Sequence, residues 1–160
     1  MTKTLAVEQS RVIPVGVDEA FARTLPIPLT TILTRWYGPV PPIGAVREQV
    51  GDWDTVGQTR RLLFKVGGGM HEELTKVDPP HAFGYTLSGF TGPLGPLIGS
   101  AYGEWTFTPS GSAASETVVT WSWNIHPRSA FAAPLLPVLG FLWKGYARKS
   151  LETLSAVLTA

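Results

Sequence analysis

The sequence predicts an α+β protein in which one antiparallel sheet curls around a single long helix near the C-terminal end of the chain. Successive stretches of alternating apolar and polar residues, separated by glycine and proline, are typical of consecutive antiparallel strands. A long amphipathic stretch at residues 134–158 follows the last of these strands. Because the sheet has an aromatic face that must be buried, we expect the helix to lie in the concavity of the sheet.

Composition places the chain among globular proteins and excludes several classes of partner. The 160 residues fit a single domain, 1–160, and 44% hydrophobic against 16% charged residues indicate a dry core. The formal charge is +1 and the basic residues are scattered, so we expect no nucleic-acid partner. The lack of cysteine excludes disulfides and favours a reducing, cytoplasmic location. The most apolar run, 135–143, is shorter than the roughly 20 residues that cross a bilayer, so we expect no stable membrane insertion.

The first part of the chain predicts a strand, a short helix and an irregular segment. Residues 4–13 alternate loosely and end at Pro14, which indicates a strand. A short amphipathic helix at 17–25 is indicated by apolar residues spaced four apart, namely Val17, Phe21 and Leu25. Five prolines make 26–44 irregular, with one helical turn predicted at 29–36.

The middle of the chain predicts a run of strands joined by turns. We expect strands at 45–56, 58–66, 70–77, 81–90, 101–108 and 116–126. Between the strands at 81–90 and 101–108 lies an apolar loop, 89–103, that repeats glycine and proline. Loops of this length usually bind a ligand or move, so this one is a candidate gate.

The stretch 64–85 joins three glycines to a His-Glu-Glu cluster and allows three interpretations. A phosphate loop is disfavoured, because a strand follows the glycines and the sequence lacks a Gly-Lys-Ser/Thr motif. A metal site is disfavoured as well, because His71, His81 and His126 have no close ligand spacing. We therefore expect a hairpin turn, with no metal and no cofactor.

The last two strands predict a sheet face dominated by aromatic residues. Trp105 and Phe107 alternate with polar residues on one strand. On the next strand the same face carries Val119, Trp121, Trp123 and Ile125. Trp143 begins the apolar stripe of the helix that would cover this face. Such a stripe is usually core packing, yet bulky rings around one helix can also leave a cavity, and we favour cavity lining.

Two segments of the sequence resemble the SRPBCC superfamily, which comprises START-like, polyketide cyclase/dehydrase and lipid-transport proteins. They are GQTRRLLFKVGGGMHEELTKVDPPHAFGYTLSG, 57–89, and YGEWTFTPSGSAASETVVTWSWNI, 102–125. The resemblance lies in the order and spacing of a set of residues and not in any single motif. These residues are Gly57, Arg60, Glu72 or Glu73, Leu74, Pro79, Pro80, Tyr85, Gly103, Trp105, Thr120 and Trp121. The resemblance implies a helix-grip fold, in which about seven antiparallel strands wrap the C-terminal helix around an apolar cavity. It implies ligand binding more strongly than catalysis.

Four polar residues are candidates for the interior. Arg60 alternates with Leu62 and Phe64 and could point inward, although a surface ion pair is the favoured interpretation. Glu72 and Glu73 point to opposite faces of one strand, so at most one can be an internal acid or base. Tyr85 could orient a ligand carbonyl through its hydroxyl or cap the core.

The first hypothesis is that the protein binds a hydrophobic small molecule, such as a lipid or polyketide, in a cavity of several hundred cubic ångströms. The segments 36–44 and 89–103 would be gates, and Trp36 with Tyr37 would form an entrance flap or a plug under the sheet. The predicted ligand-binding residues are Trp36, Tyr37, Arg60, Tyr85, Trp105, Trp121, Trp123 and Trp143. The sequence leaves the ligand's identity and the oligomeric state open.

Two further hypotheses remain. The chain could be an aromatase/cyclase-type enzyme in which Glu72 or Glu73 moves protons while Arg60 and Tyr85 polarise a carbonyl. It could instead be a protein-binding module that uses the apolar 89–103 loop as its contact surface.

Overall fold

The computed structural model describes residues 3–160, which form seven strands, three α-helices and short 3-10 turns. Along the chain the elements are β1 (Leu5–Ile13), α1 (Val17–Thr24), α2 (Leu29–Ile32), β2 (Ile43–Arg47), β3 (Thr59–Phe64), β4 (Gly69–Asp78), β5 (Ala82–Ser88), β6 (Ile98–Ser110), β7 (Glu116–Pro127) and α3 (Leu136–Thr159). Among the described helices, none has the length and apolarity needed to cross a membrane.

The strands form one antiparallel sheet in the order β1-β7-β6-β5-β4-β3-β2. Each strand from β2 to β6 pairs with the next strand in the chain, because the connections between them are turns or loops. β1 pairs with β7 instead, so α1 and α2 carry the chain between the two edges of the sheet. The predicted α+β helix-grip architecture with seven strands is therefore confirmed.

Helix α3 is anchored to the sheet and to α1 at separate points. Gly140 lies so close to Leu5 and Val7 of β1 that a methyl group there would touch both side chains. At the other end, the Arg23 guanidinium donates hydrogen bonds to the carbonyls of Leu158 and Val157, at 2.9 and 3.1 Å. These carbonyls belong to the last turn of a helix, where no intrahelical donor is available. The position of α3 over the sheet is thus held from both ends.

The inner face of the sheet has the predicted aromatic character. The inward-facing residues of β6 and β7 are all buried, namely Trp105, Phe107, Val119, Trp121, Trp123 and Ile125. The threonines and the serine between them are only partly buried. Trp105 stacks on Trp121 with 5.0 Å between the ring centroids, and Trp121 lies 5.0 Å from Trp143 of α3. Helix and sheet are therefore joined mainly by contacts between rings, which bury large apolar areas.

The three glycines at 67–69 form the predicted turn and also support the next loop. Gly67 and Gly68 have φ values of 95° and 78°, which side-chain-bearing residues rarely adopt. Gly68 packs directly against the backbone of Gly92, and Gly69 exchanges backbone hydrogen bonds with Thr91. The hairpin is therefore where the loop after β5 is attached to the sheet.

Two of the predicted boundaries are wrong. Residues 48–57 form a loop instead of a strand, because the side chain of Gln58 accepts the N–H groups of Asp54 and Thr55 and closes a turn. The loop after β5 ends at residue 97 instead of 103, because β6 begins at Ile98 and pairs with both β5 and β7. Backbone pairing on two sides overrides the glycine content of residues 98–103.

Gly103 of β6 lies between Tyr85 of β5 and Trp123 of β7 in one row across the sheet. Because Gly103 has no side chain, the Tyr85 ring passes over it, and an added methyl group would overlap that ring. A residue with a side chain here would push Tyr85 away from β7.

We expect Gly103→Ala to lower the free energy of unfolding by about 1–3 kcal/mol, because it overpacks a buried site. Gly16→Ala is the control, since nothing lies within 4 Å of the added atom, and it should change stability by less than about 0.5 kcal/mol. Urea unfolding measures both changes. In a Tyr85→Ala background the Gly103→Ala loss should largely vanish; an undiminished loss would contradict the proposed ring overlap.

Candidate ligand-binding site

A cavity of about 40 Å³ lies between α3 and the inner face of the sheet. Its walls are aliphatic and aromatic side chains, namely Leu33, Val40, Ile43, Phe64, Met70, Leu94, Trp121, Trp123, Leu139, Trp143 and Tyr146. The expectation of several hundred cubic ångströms is wrong for this space. The reason is that the three tryptophans fill much of the interior, with ring centroids 5.0 to 6.2 Å apart.

A surface groove of about 300 Å³ lies next to this cavity. Val40, Leu94 and Leu139 line both spaces and form the wall between them. The groove runs between residues 39–41, residues 93–97 and the first half of α3. The two segments predicted as gates, 36–44 and 89–103, thus each supply one side of the groove.

Exposed apolar side chains lie around the start of α3, where Leu135 and Val138 also line the groove. Phe131 is 93% exposed, and Leu135, Val138 and Phe141 are each more than half exposed. In the loop after β5, by contrast, Phe90 and Leu94 are buried. The exposed apolar surface that the protein-binding hypothesis requires is therefore at the start of α3 and not on the loop.

Tyr85 holds the two tryptophans of β7 in place. Its hydroxyl oxygen accepts the indole N–H of Trp121 at 2.7 Å and that of Trp123 at 3.2 Å. Burial, and secondarily the charge of Glu72, raises the pKa of Tyr85 well above its usual range. Tyr85 therefore stays neutral, and its own proton remains available to a further acceptor.

Arg60 and Glu72 form a buried ion pair on adjacent strands. The Arg60 Nε and Nη2 atoms donate to the same Glu72 oxygen, Oε1, at 3.0 and 2.7 Å. The two side chains are only 4% and 2% exposed, so the favoured interpretation of Arg60 as a surface residue is wrong. The reason is that Trp53, from the loop 48–57, covers the guanidinium at 3.9 Å from its ring centroid.

Burial raises the pKa of Glu72 above its ordinary value, while the charge and hydrogen bonds of Arg60 oppose that rise. Glu73 is exposed on the other face of β4, as the alternation predicts. Glu72 is therefore the one internal carboxyl of this pair, and Glu73 is placed too far outside to act on a buried ligand.

A second, smaller space of about 20 Å³ lies next to the ion pair. Its walls include Arg60, Glu72, Tyr85, Trp105 and Thr24. Trp121 lines both this polar space and the apolar cavity, so its indole ring forms the partition between them.

The structure thus separates the predicted site residues into three groups. Trp121, Trp123 and Trp143 line the apolar cavity. Arg60, Tyr85 and Trp105 line the polar space. Trp36 is 48% exposed and Tyr37 packs against Gly145 of α3, and neither lines the cavity or the groove.

Tyr146 is the polar cavity residue that the sequence analysis missed. It follows Trp143 by three residues, so both lie on one face of α3. The three-residue spacing from Trp143, which begins the apolar stripe of the helix, is the signal that could have identified Tyr146. Within residues 3–160, no group of three or more His, Asp or Glu side chains is arranged to hold a metal ion.

The seven-stranded sheet, the helix that it encloses and the apolar space between them define a helix-grip protein. The sequence model of the family described as polyketide cyclase / dehydrase and lipid transport matches residues 4–159. The chain belongs to this family, and with it to the SRPBCC, START-like superfamily. None of the curated proteins matches the chain.

Solved structures with the same fold include proteins of different activity. Ara h 8.0201 has a TM-score of 0.74 at 13% identity, covering 98% of both chains. Truncated norcoclaurine synthase from Thalictrum flavum has a TM-score of 0.70 at 17% identity, covering 98% of this chain and 94% of its own. Zhui aromatase/cyclase from Streptomyces sp. R1128 has a TM-score of 0.69 at 18% identity, with coverage of 98% and 94%. At these identities the likeness shows a shared fold.

We expect Glu72→Leu alone to lower the free energy of unfolding by about 3–5 kcal/mol, because it leaves the Arg60 charge buried without its partner. Adding Arg60→Met should recover most of that loss, since apolar side chains of similar size can replace a buried ion pair. Chemical denaturation of the single and double variants measures this. If the double variant were no more stable than Glu72→Leu, the pair would not be coupled as the geometry indicates.

Proposed function

We propose that the protein binds a hydrophobic small molecule, such as a lipid or polyketide, in the cavity between α3 and the sheet. The observation that carries this proposal is that the apolar cavity adjoins an apolar groove, with Val40, Leu94 and Leu139 lining both. An apolar ligand that leaves water for this space gains about 25 cal/mol per Å² of buried surface.

The family description supports the proposal, because it names lipid transport and polyketide chemistry. One norcoclaurine synthase of the same fold has been solved with dopamine and hydroxybenzaldehyde, two small aromatic molecules. The cytoplasmic location, the lack of a nucleic-acid partner and the single domain remain predictions from the sequence.

Entry of a ligand requires the wall between groove and cavity to move. Leu94 lies on the loop that the Gly68 and Gly69 turn anchors, whereas Val40 lies in the proline-rich segment before β2. We therefore propose that the segment 36–44 and the loop 89–97 act as the gates. The cavity of about 40 Å³ is then the closed form of a space that a ligand enlarges.

The second candidate is an acid–base enzyme that uses Glu72, with Arg60 and Tyr85 polarising a carbonyl. The buried carboxyl with its raised pKa favours this candidate. Against it, the Nε and Nη2 atoms of Arg60 both donate to Glu72 Oε1, and Trp121 separates the pair from the apolar cavity. For this enzyme, Glu72→Gln would abolish any conversion of a bound carbonyl compound, seen as loss of product mass, while binding persisted.

We expect the neutral dye N-phenyl-1-naphthylamine to bind the protein at a single site with enhanced emission. Leu97→Trp, which narrows the groove, should weaken this binding at least about tenfold by obstructing the entrance. Val12→Trp, at an exposed position of β1 outside the groove, should leave it unchanged. Fluorescence titration measures both. Equal affinity in the wild type and both variants would mean that the dye binds elsewhere.

Native mass spectrometry of the purified protein, followed by organic extraction, tests the same proposal without an added probe. A co-purified lipophile of defined mass is the expected result. If the protein carried no such compound and also failed to bind the dye, the exposed apolar residues at the start of α3 would favour the protein-binding hypothesis instead.

A further inference from the structure

The loop before α3 and the first turns of this helix present apolar side chains to solvent. Phe131, in the loop, is 93% exposed, and Phe141 is 69% exposed. Leu135 and Val138, between them in the chain, are each more than half exposed. We call these four residues the apolar tip. Neither phenylalanine lines the cavity or the groove, so the proposed ligand site does not account for their exposure.

The outward side of α3 changes from apolar to basic along the helix. On this side, at intervals of three or four residues, lie the exposed residues Pro137, Phe141, Lys144 and Arg148. Lys144 lies only about 4.5 Å beyond Phe141 along the axis, because an α-helix rises about 1.5 Å per residue. A basic surface therefore begins where the apolar tip ends.

The surroundings of the apolar tip are basic on other sides as well. Lys3 lines a hollow of about 610 Å³ together with Pro137 of α3, and Arg128 lies shortly before the tip in the chain. Within residues 3–160, no Asp or Glu lines this hollow or the groove. Residues 117–151 hold four basic residues and no acidic one, so they carry +4 in a chain whose total charge is +1. The rest of the chain is therefore net negative, and the positive charge is concentrated in the segment that carries the tip.

We propose that the apolar tip docks the protein on an anionic phospholipid bilayer, with the phenylalanines among the lipid chains and the basic residues among the headgroups. Apolar side chains next to lysine and arginine bind such a surface by burying apolar area and by electrostatic attraction. Lysine and arginine suit this boundary, because their apolar stems can follow the lipid chains while their charges reach the headgroups.

Docking through the tip would bring the groove to the bilayer. Leu135 and Val138 belong to the tip and also line the groove. The opposite sides of the groove, residues 39–41 and 93–97, contain no charged residue. An apolar ligand would then pass between the bilayer and the groove without crossing water. This route rests on the proposed function, whereas the docking itself requires no ligand.

The charge of this surface favours a bilayer over a second copy of the chain. In a two-fold dimer the same patch of each copy meets its counterpart, so Lys144 and Arg148 would approach another positive surface. A bilayer that contains anionic lipid offers the opposite charge over a wide area, with an apolar layer beneath it.

Co-sedimentation with lipid vesicles tests the inference. The vesicles consist of phosphatidylcholine alone or of phosphatidylcholine mixed with phosphatidylglycerol, each at low and at high sodium chloride concentration. Two double variants are compared with the wild type. They are Phe131→Ser with Phe141→Ser, which removes the exposed rings, and Lys144→Glu with Arg148→Glu, which reverses the charge of the adjoining surface.

Each double variant has a matched control elsewhere in the chain. Val50→Ser with Val56→Ser replaces two exposed apolar side chains of the loop 48–57. Arg47→Glu with Arg61→Glu reverses the same number of charges on β2 and β3. None of the substituted residues lines the cavity or the groove, so all four double variants should bind N-phenyl-1-naphthylamine as the wild type does.

We expect the wild type to bind the mixed vesicles at least about tenfold more tightly than phosphatidylcholine alone. The phenylalanine variant and the Lys144/Arg148 variant should each weaken binding to the mixed vesicles at least about tenfold, because apolar burial and charge both contribute. Each control should change this binding less than about threefold. High salt should weaken binding of the wild type, since it screens the attraction between the basic residues and the headgroups.

Three results would overturn the inference. The first is a wild type that binds the dye but stays in solution with the mixed vesicles, which would leave ligand binding in place. The second is a loss of vesicle binding in the controls equal to that in the other variants. The third is a wild-type dimer in sedimentation velocity that Phe131→Ser with Phe141→Ser converts to a monomer, because the tip would then be a contact between copies. Vesicle binding as expected, without any dye binding, would support docking and contradict the proposed function.

Discussion

The contact between Trp143 of α3 and the two tryptophans of β7 is the interaction on which the rest of the structure depends. Ring centroids lie 5.0 Å apart for Trp121 and 5.8 Å apart for Trp123. This contact holds the helix over the sheet and bounds the cavity. Because the rings are rigid, they set the distance between helix and sheet and leave a small space that flexible side chains would have filled.

The polar groups of the interior are organised around these rings. The Tyr85 ring crosses the bare backbone of Gly103 and orients both indoles of β7, while Arg60 and Glu72 satisfy one another beneath Trp53. Every one of these groups is buried, so its pairing determines whether it stabilises or destabilises the fold. The indole nitrogen of Trp143 and the hydroxyl of Tyr146 differ from them, because both are buried without a hydrogen-bond partner.

Particular elements show why some features were predictable and others were not. The alternation of Trp121, Trp123 and Ile125 indicated a strand with one buried face, because two-residue periodicity is a local property of the chain. The residue pattern of 48–57 predicts a strand, but the structure has a loop there. The shape of this loop depends on the side chain of Gln58 and on burial of Trp53, which a local pattern does not reveal. The sequence predicts Arg60 at the surface because arginine is rarely buried, whereas Trp53, which covers its guanidinium, comes from outside its own strand.

The sequence alone determined the class of fold, the aromatic inner face, the opposite directions of Glu72 and Glu73, and the two segments that border the groove. These follow from periodicity and from the placement of glycine and proline, which act within a few residues. Only the tertiary structure decided the volume of the cavity, the burial of Arg60 and the partition by Trp121. It also decided which donors lack a partner, because hydrogen-bond satisfaction depends on atoms that distant strands and the helix bring together.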